Sequence, residues 1–220
     1  MKIATWNIER LRHQKKLEEI IAVCERIGAD ILILTETDTR ARLSYQSCFQ
    51  TPSPAEIKPE LYCKTENRVS ILTNYKCAKQ HITYDKYTSI CVELETERGN
   101  LMVYGTIIGI YGNRHPSFSQ DLSRQLIDIR RLSAGGHNIC ICGDFNCTFS
   151  DNYYYTKAGR EAIVQALSES RIDLLTKDRS ECIDHIAISR DFLGDSEIQI
   201  EEWNYDKALS DHKGIVVSIT

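Results

Sequence analysis

A carboxylate and an amide stand two residues apart at the end of a predicted buried strand. Residues 139–142 are apolar, and Gly143 lets the backbone turn tightly where that strand ends. Asp144 and Asn146 follow, and in extended geometry residues two apart point to the same side. A carboxylate beside an amide suits the handling of a water molecule near a phosphate, so this pair is the first candidate site.

Four further groups of polar side chains stand beside predicted strands. A single acid at a strand end is usually solvated or caps a turn, so none of these groups identifies a site by itself. Together with the first pair they form a set of five, and the set carries more information than any member. The groups are Asn7 with Glu9, Glu36, Asp184, and Asp211 with His212.

The elements that must position these groups follow from hydrophobic spacing. Apolar residues recur at helical spacing in three segments, and short apolar runs between them predict strands. Glycines at the ends of the first two helical segments are plausible stops. We predict helices over residues 13–28, 120–133 and 158–170, and strands over 2–7, 31–34, 69–72, 88–94, 101–108, 139–144, 183–188, 198–203 and 214–219.

The order of these elements predicts a layered α/β fold in one domain spanning residues 1–220. Three of the four prolines fall within 52–59, so we interpret residues 39–66 as an irregular excursion within that domain. Many strands with few helices predict two sheets packed together with helices outside. The hairpin-like middle favours mostly antiparallel sheets, and a doubly wound parallel sheet is the alternative.

Composition narrows the class of protein. The formal net charge is −4, whereas proteins that grip long nucleic acids usually carry a basic excess, so a small substrate or a short stretch of nucleic acid is favoured. The nine cysteines include no Cys-x-x-Cys pair, which predicts free thiols in a reducing cytoplasm and no zinc site. The first residues do not resemble a signal peptide and no apolar stretch is long enough for a membrane span, so we expect a cytoplasmic monomer without membrane insertion.

The five motifs in this order resemble the endonuclease/exonuclease/phosphatase superfamily, which includes pancreatic-type deoxyribonucleases and abasic-site endonucleases. The resemblance runs from residue 6 to residue 214 and implies a four-layered α/β (α+β) sandwich. The segment Arg68-Val69-Ser70-Ile71-Leu72 also resembles the family's strand after its first long loop. The motifs are Trp6-Asn7-Ile8-Glu9, Thr35-Glu36, Gly143-Asp144-Phe145-Asn146, Ile183-Asp184-His185-Ile186 and Ser210-Asp211-His212.

The resemblance implies hydrolysis of a phosphate ester by in-line attack of water, with Mg²⁺ as the cofactor and Mn²⁺ as its substitute. Glu36 would be the principal metal ligand, Asp211 a further carboxylate and Glu9 a supporting one. Oxygen ligands without Cys or His around the ion suit these hard cations. The expected partner is a phosphate-ester substrate, with DNA and RNA both open.

The resemblance also assigns the groups that act on water and phosphate. Asp144 would be the base or orienter of the attacking water, and Asn7 and Asn146 would be neutral donors to phosphate oxygens or to that water. His212 would donate to a non-bridging oxygen as charge builds at phosphorus. Asp184 would hold the imidazole of His212 and raise its pKa.

Three positions near these motifs need separate treatment. Many relatives carry a histidine or a tyrosine just past the strand that here ends near residue 108, and Tyr111 or His115 could fill that role. His185 alternates with Asp184 along its strand and should face away from the site. Lys213 follows the last motif and is expected to be solvated.

The substrate is the least determined property. Tyr153, Tyr154 and Tyr155 lie near Lys157 and Arg160, where they could stack on a nucleobase, although packing of at least two of them against the third helix is favoured. Six acids between residues 191 and 206 would repel a long duplex and disfavour an abasic-site enzyme. The main hypothesis is a nuclease or phosphodiesterase.

Two other function classes compete with a nuclease. A phosphomonoesterase acting on a small soluble or lipid head-group phosphate is the alternative enzyme. A binding module that has kept the fold and lost the chemistry should lack a key side chain. All four of the principal ones are present, which disfavours this class: Glu36, Asp144, Asp211 and His212.

Overall fold

Two β-sheets of six strands each form the centre of the computed structural model, which describes residues 1–220. Four α-helices and several short 3₁₀ turns connect the strands. In chain order the strands are β1 (Lys2–Asn7), β2 (Ile31–Asp38), β3 (Ser47–Gln50), β4 (Glu66–Thr73), β5 (Lys76–His81), β6 (Ser89–Thr96), β7 (Gly99–Ile107), β8 (Ile139–Asp144), β9 (Ile172–Leu174), β10 (Asp184–Ser189), β11 (Ile198–Trp203) and β12 (Gly214–Ile219). The helices are α1 (Leu17–Ile27), α2 (Phe118–Ser133), α3 (Lys157–Glu169) and α4 (Arg190–Leu193).

Strand order confirms the predicted sheet type. The first sheet runs β11-β12-β1-β2-β4-β3 and the second runs β5-β6-β7-β8-β10-β9. Only β1–β2 and β7–β8 are parallel neighbours, and every other pairing is antiparallel. The alternative of a doubly wound parallel sheet is therefore wrong, because each sheet contains a single parallel pair.

Three apolar clusters define four layers. The first cluster lies between the sheets, where Ile33 and Val103 are both buried. The second packs α2 and α3 against the outer face of the second sheet, and Leu126 belongs to it. The third packs α1 against the outer face of the first sheet through Ile20 and Leu32. The layer order is helix, sheet, sheet, helices, which confirms the predicted four-layered sandwich.

Burial on both faces explains why the central strands are unbroken apolar runs. In β2, Ile31 and Ile33 enter the cluster between the sheets, whereas Leu32 and Leu34 enter the cluster under α1. Strands covered on both sides lose the alternation of apolar and polar residues. Each fully buried side chain of this kind contributes about 1.5–3 kcal/mol of transfer free energy, so these strands are firm supports for groups at their ends.

Four elements were not predicted, and each has a weak local signal. Strand β5 is mostly exposed and rich in lysine, and it is held at the edge of its sheet by β6. Strands β3 and β9 and helix α4 have only three or four residues each. Helix α1 begins at Leu17 and not at residue 13, because residues 14–16 form a 3₁₀ turn.

Two further predictions concern the cysteines and the membrane. All nine cysteines are free thiols, and six of them are buried. Burial raises the pKa of the Cys24, Cys91 and Cys147 thiols, so these side chains pack as neutral small hydrophobes. None of the helices combines the length and the apolar character that a bilayer crossing requires.

Candidate active site

The candidate site forms where the same ends of the two sheets meet. Strand β1 of the first sheet ends at Asn7, and strand β8 of the second sheet ends at Asp144. Asn7 Nδ2 donates a hydrogen bond to Asp144 Oδ2 at 3.2 Å, and both residues are buried. Two of the predicted groups, distant in the chain, therefore touch directly and connect the two sheets.

Both oxygens of the Asp144 carboxylate are held. Oδ2 accepts from Asn7, and Oδ1 accepts from the backbone N–H of Asn146 at 2.8 Å. The side-chain amide of Asn146 donates to the carbonyls of Ile108 and Gly109, so its two N–H groups anchor the loop after β7. The Asn146 backbone N–H is thus the group that contacts Asp144, while the side-chain amide holds the loop after β7.

Gly143 is required by close packing as well as by its turn. Its φ is +137°, a conformation that side chains rarely adopt. A Cβ at this position would lie 2.1 Å from the carbonyl oxygen of Thr106 on the neighbouring strand. The glycine therefore lets β7 and β8 approach closely just before Asp144, which sets where the carboxylate emerges.

The buried Asp184 and the half-buried His212 form a pair beside Asp144. Asp184 faces Asp144 directly in the antiparallel ladder between β10 and β8. Asp184 Oδ2 lies 2.5 Å from His212 Nδ1, while Asp184 Oδ1 is buried without a partner. The His212 carbonyl accepts from Trp6 Nε1 at 3.1 Å and from Asn204 Nδ2 at 2.7 Å, which fixes the backbone that carries the imidazole.

The charges of this group are mutually dependent. Burial and the adjacent Asp184 raise the pKa of Asp144 to about 7, against the opposing effects of His212 and the Asn146 N–H. Burial disfavours the charged imidazole, but the attraction of Asp184 outweighs it and raises the pKa of His212 to about 10. The site therefore pairs a cationic imidazole with a carboxylate that binds a proton more readily than an ordinary aspartate.

The three predicted metal ligands differ in how many contacts their carboxylates make within the protein. Glu36 on β2 accepts no hydrogen bond and makes no ion pair within the protein, and its φ is +44°. Burial raises the pKa of Glu36, against the opposing charges of His212 and Arg10. Asp211 has an exposed side chain, and its Oδ1 lies 3.5 Å from His212 Nε2. Glu9 Oε2 instead accepts from the Asp211 backbone N–H at 2.7 Å.

The arrangement fits an ion that keeps most of its own water. No three side chains of the His, Cys, Asp and Glu types are arranged to enclose a metal. Mg²⁺ typically binds through one or two carboxylates and retains several waters, so the free carboxylate of Glu36 and the exposed carboxylate of Asp211 suit it. Glu9 is engaged with the backbone of Asp211, which makes it a support for that ligand.

In the loop after β7, neither Tyr111 nor His115 makes a hydrogen bond to the Asp184–His212 pair. Tyr111 is 45% exposed, its hydroxyl contacts Lys58 Nζ, and its ring lies 4.8 Å from that of His115. His115 Nδ1 contacts Ser117 Oγ. The role considered for Tyr111 or His115 therefore stays a prediction, and each side chain is held by neighbours in its own loop or in the excursion of residues 39–66.

Lys213 is buried and ion-paired, so the expectation of a solvated lysine is wrong. Its Nζ donates to the Ser180 carbonyl and lies 3.3 Å from Glu202 Oε1. The pair neutralises a charge that the fold buries directly after His212. Lys213 therefore ties the end of the last motif to β11 and to the loop before β10.

A cleft of about 260 Å³ opens beside the Asp184–His212 pair. Tyr153 and Tyr154 line this cleft, whereas Tyr155 packs against the cluster of α3 with the Arg160 guanidinium 3.7 Å from its ring centroid. Only one of the three tyrosines packs against the helix, so the favoured expectation for at least two is wrong. Lys207 Nζ lies 4.9 Å from the ring centroid of Tyr153 and adds a cation at the cleft.

His185 faces away from the site, as alternation along β10 predicts. The ring is fully buried, its Nε2 contacts the Cys147 carbonyl at 2.9 Å and its Nδ1 contacts Thr176 Oγ1 at 2.8 Å. Because a carbonyl can only accept, Nε2 carries the proton and Nδ1 accepts from Thr176. The neutral ring is satisfied at both nitrogens, and burial lowers the pKa of His185 to about 4.

Acid should therefore destabilise the fold through His185. His185 binds a proton near pH 6.5 in the unfolded chain and only near pH 4 in the folded chain. As the pH falls through this window, the contribution of His185 to the free energy of unfolding therefore decreases, and below the window it no longer changes. At about 1.4 kcal/mol per pH unit, the loss amounts to about 3 kcal/mol. Urea unfolding at several pH values would measure it. His185→Gln should flatten the slope, whereas the exposed control His137→Gln should not, and an unchanged slope in His185→Gln would refute the assignment.

Two residues that shape the site escaped the sequence reasoning. Asn204 donates to the carbonyls of Ser210 and His212, and its only signal was a polar residue directly after a predicted strand. Arg68 is buried on β4 and lies close enough to Glu36 to favour its ionised form. An arginine in a strand of buried residues is unusual, but the side chains that it contacts depend on strand pairing.

The fold and the site together define a two-sheet protein suited to phosphate-ester hydrolysis, and comparison with known families agrees. The profile of the Endonuclease/Exonuclease/phosphatase family matches residues 4–212, so the chain belongs to this family. Enzymes of the family are hydrolases that act on phosphate esters. A search of curated proteins finds no match to the chain.

Solved structures share the whole architecture. A 3′–5′ exonuclease from Neisseria meningitidis superposes with a TM-score of 0.74 at 17% identity, over 100% of this chain and 99% of that one. An AP endonuclease from Archaeoglobus fulgidus gives 0.70 at 14% identity, over 100% and 99%. A Neisseria 3′ phosphatase bound to a product DNA hairpin gives 0.70 at 16% identity, over 100% and 99%. At these identities the likeness establishes the shared fold.

Proposed function

We propose that the protein is a divalent-metal-dependent phosphoesterase that hydrolyses a phosphodiester in nucleic acid. The proposal depends chiefly on one observation, the Asp184–His212 pair set beside Asp144. A cationic imidazole can stabilise charge on a phosphate oxygen, and a carboxylate with a pKa near neutrality can accept the proton of the attacking water.

The roles of Asp144 and His212 follow from their hydrogen-bond partners. Asp144, fixed by Asn7 and the Asn146 N–H, orients the attacking water and accepts its proton. His212 has Nδ1 tied to Asp184, and its Nε2–H, which lies 3.5 Å from the exposed Asp211 carboxylate, would donate to a non-bridging phosphate oxygen. Because Asp184 keeps the imidazole charged, the positive charge is in place before charge develops at phosphorus.

A divalent ion would be held by Glu36 and Asp211, with Glu9 supporting the backbone of Asp211. When bound, the ion supplies positive charge that stabilises the transferring phosphate and its leaving oxygen. The free carboxylate of Glu36 supports this assignment, since a half-buried acid without a hydrogen-bond donor is costly to keep ionised on its own. Mg²⁺ is the expected ion, and Mn²⁺ is expected to replace it.

Substitution of Glu36 should weaken Mg²⁺ binding. In Glu36→Gln the half-saturating Mg²⁺ concentration should rise by at least tenfold. Mg²⁺ should raise the melting temperature of the wild type and not that of Glu36→Gln. Titrations followed by activity and by differential scanning fluorimetry measure both effects. Glu169→Gln, an exposed acid paired with Arg130, is the matched control. An unchanged Mg²⁺ response in Glu36→Gln would contradict the assignment.

A phosphomonoesterase is the second candidate, and the small volume of the cleft favours it. A space of about 260 Å³ accommodates one phosphate-bearing group more readily than a duplex. The similar Neisseria structure is described as a 3′ phosphatase with product DNA, so a terminal phosphate is a reasonable form of such a substrate. A soluble or lipid head-group phosphate belongs to the same class.

A substrate panel separates these candidates. Purified protein with Mg²⁺ or Mn²⁺ would be assayed on single-stranded DNA, RNA, abasic duplex, 3′-phosphorylated DNA, inositol phosphates, cyclic dinucleotides and bis(p-nitrophenyl) phosphate. Cleavage between nucleotides supports the nuclease, whereas release of inorganic phosphate alone supports the monoesterase. Hydrolysis of no ester with any divalent metal would overturn both.

A further inference from the structure

Arg68 is a buried cation without an anionic partner. It lies on β4 and is 5% exposed, yet no carboxylate oxygen is within ion-pair distance of its guanidinium. Its Nη2 donates to the Tyr62 hydroxyl at 2.7 Å, and its Nε is buried with no partner at all. A guanidinium withdrawn from water without a counter-charge is costly, so its position needs a compensating ligand.

Arg68 stands directly beside the candidate site. In the antiparallel ladder between β2 and β4, Thr35 pairs with Val69 and Thr37 pairs with Asn67. Glu36 and Arg68 therefore lie between these two pairs on neighbouring strands, and the charge of Arg68 favours the ionised form of Glu36. They do not form an ion pair, so the guanidinium places positive charge beside the free carboxylate of Glu36 and does not neutralise it.

Tyr62 and Arg10 hold this guanidinium in place. The Tyr62 ring lies between two arginines, with Arg10 Cζ at 4.4 Å and Arg68 Cζ at 4.9 Å from its centroid. Arg10 is anchored by the Leu61 carbonyl at 2.7 Å and by Glu66 at 3.1 Å. The Arg10–Tyr62–Arg68 stack is therefore a preorganised cationic face in which only Arg68 lacks a counter-charge.

The stack is offset along the sheet from the strand end that carries Asn7. Strand order places β2 between β1 and β4, so Arg68 lies two strand spacings from Asn7. At about 4.8 Å per spacing, this separation is roughly 10 Å. A guanidinium at that distance reaches a neighbouring anionic group of the substrate, and its planar set of donors matches phosphate oxygens.

We propose that the Arg10–Tyr62–Arg68 stack binds a second phosphate of the substrate, next to the one that is hydrolysed. This inference rests on the proposed phosphoesterase function and specifies its substrate class as molecules with at least two phosphates. A nucleic acid strand supplies them in series, and a bisphosphorylated small molecule supplies them in one head group. An isolated phosphate ester would use only the catalytic half of the site.

The test compares substrates with one and with several phosphates. In Arg68→Gln the ratio of kcat/KM for a short oligonucleotide to kcat/KM for bis(p-nitrophenyl) phosphate should fall at least tenfold, mainly through KM. The slope of log(kcat/KM) against log salt for the oligonucleotide should also become shallower by about one, as for the loss of one phosphate contact. Arg171→Gln, an exposed arginine at the far end of β10, is the control and should preserve both quantities.

Modified substrates test the wild type without any mutation. A single methylphosphonate would be placed in turn at each position flanking the scissile bond, and one position should cost the wild type at least tenfold. Arg68→Gln should lose nothing further there, because the two changes remove one contact. For small-molecule substrates, the same test compares an inositol bisphosphate with an inositol monophosphate. A tenfold preference of the wild type for the bisphosphate that Arg68→Gln abolishes would support a second phosphate site for this kind of substrate.

The outcomes keep the inference separate from the proposed function. If the wild type hydrolyses the oligonucleotide but Arg68→Gln loses equally on every substrate, or loses on none, the second-phosphate site is wrong while the phosphoesterase stands. If the wild type hydrolyses no ester, the proposed function itself fails. A marked drop in the melting temperature of Arg68→Gln would identify Arg68 as a structural residue and also overturn the inference.

Discussion

Asp144→Asn is expected to lower kcat by about three orders of magnitude, within the range that general base catalysis contributes. An amide keeps the shape of the carboxylate and its oxygen can still accept from the Asn146 N–H, but its NH2 group can accept neither a proton from water nor the hydrogen bond from Asn7. The change also removes the repulsion between Asp144 and Asp184, which offsets the lost hydrogen bond, so the stability of the fold should change little. Steady-state kinetics on the best substrate of the panel measure the effect.

Thermal unfolding supplies the control for Asp144→Asn. Its melting temperature should stay within about 4 °C of the wild type, the shift that about 1 kcal/mol produces in a domain of this size. Asp173→Asn, an exposed aspartate paired with Arg190 at the opposite end of β10, should retain wild-type kcat. Activity that survives in Asp144→Asn would mean that another group orients the water.

Asp184→Asn should give the second largest effect, with kcat lower by about two to three orders of magnitude. In the wild type, kcat/KM should rise as Asp144 ionises near pH 7 and fall as His212 loses its proton near pH 10. Without Asp184, burial lowers the pKa of His212 and the loss of a neighbouring negative charge lowers that of Asp144. Both limbs of the pH profile should therefore move toward acid.

The pH profile distinguishes this role from simple structural damage. A misfolded variant would lose activity at every pH with the limbs in place, whereas the proposed pairing requires the limbs to move. Protonation of His212 can be followed independently by NMR titration of the imidazole, which should occur well below pH 10 in Asp184→Asn. A basic limb that remains near pH 10 would show that Asp184 does not hold the charge on His212.

The central strands could be predicted because their burial is evident from their apolar sequences. Strands such as β2 and β8 are covered on both faces, so their residues must be apolar throughout. The edge strand β5 could not be predicted, because its lysine-rich sequence is compatible with a loop and only pairing with β6 makes it a strand. Local composition therefore specifies central strands better than edge strands.

The site shows the same limit at the level of single side chains. The types and order of Asp144, Asp184 and His212 were visible in the motifs, but the direct pairing of Asp184 with Asp144 depends on strand register. The unpaired state of Arg68 depends on every side chain around it, which no local pattern encodes. Residue identity thus predicted side chains that the fold brings together, whereas the electrostatic coupling between them required the tertiary structure.

The position of β1 has a consequence for the timing of activity during synthesis. This early strand lies between β2 and β12, and residues 214–219 must arrive before its second edge is paired. At about 5–20 residues per second, that wait is roughly 10 to 40 s after β1 has been made. His212 also belongs to this late segment, so the nascent chain has no complete set of reacting groups. Hydrolysis is therefore withheld until nearly all of the sequence above has been translated.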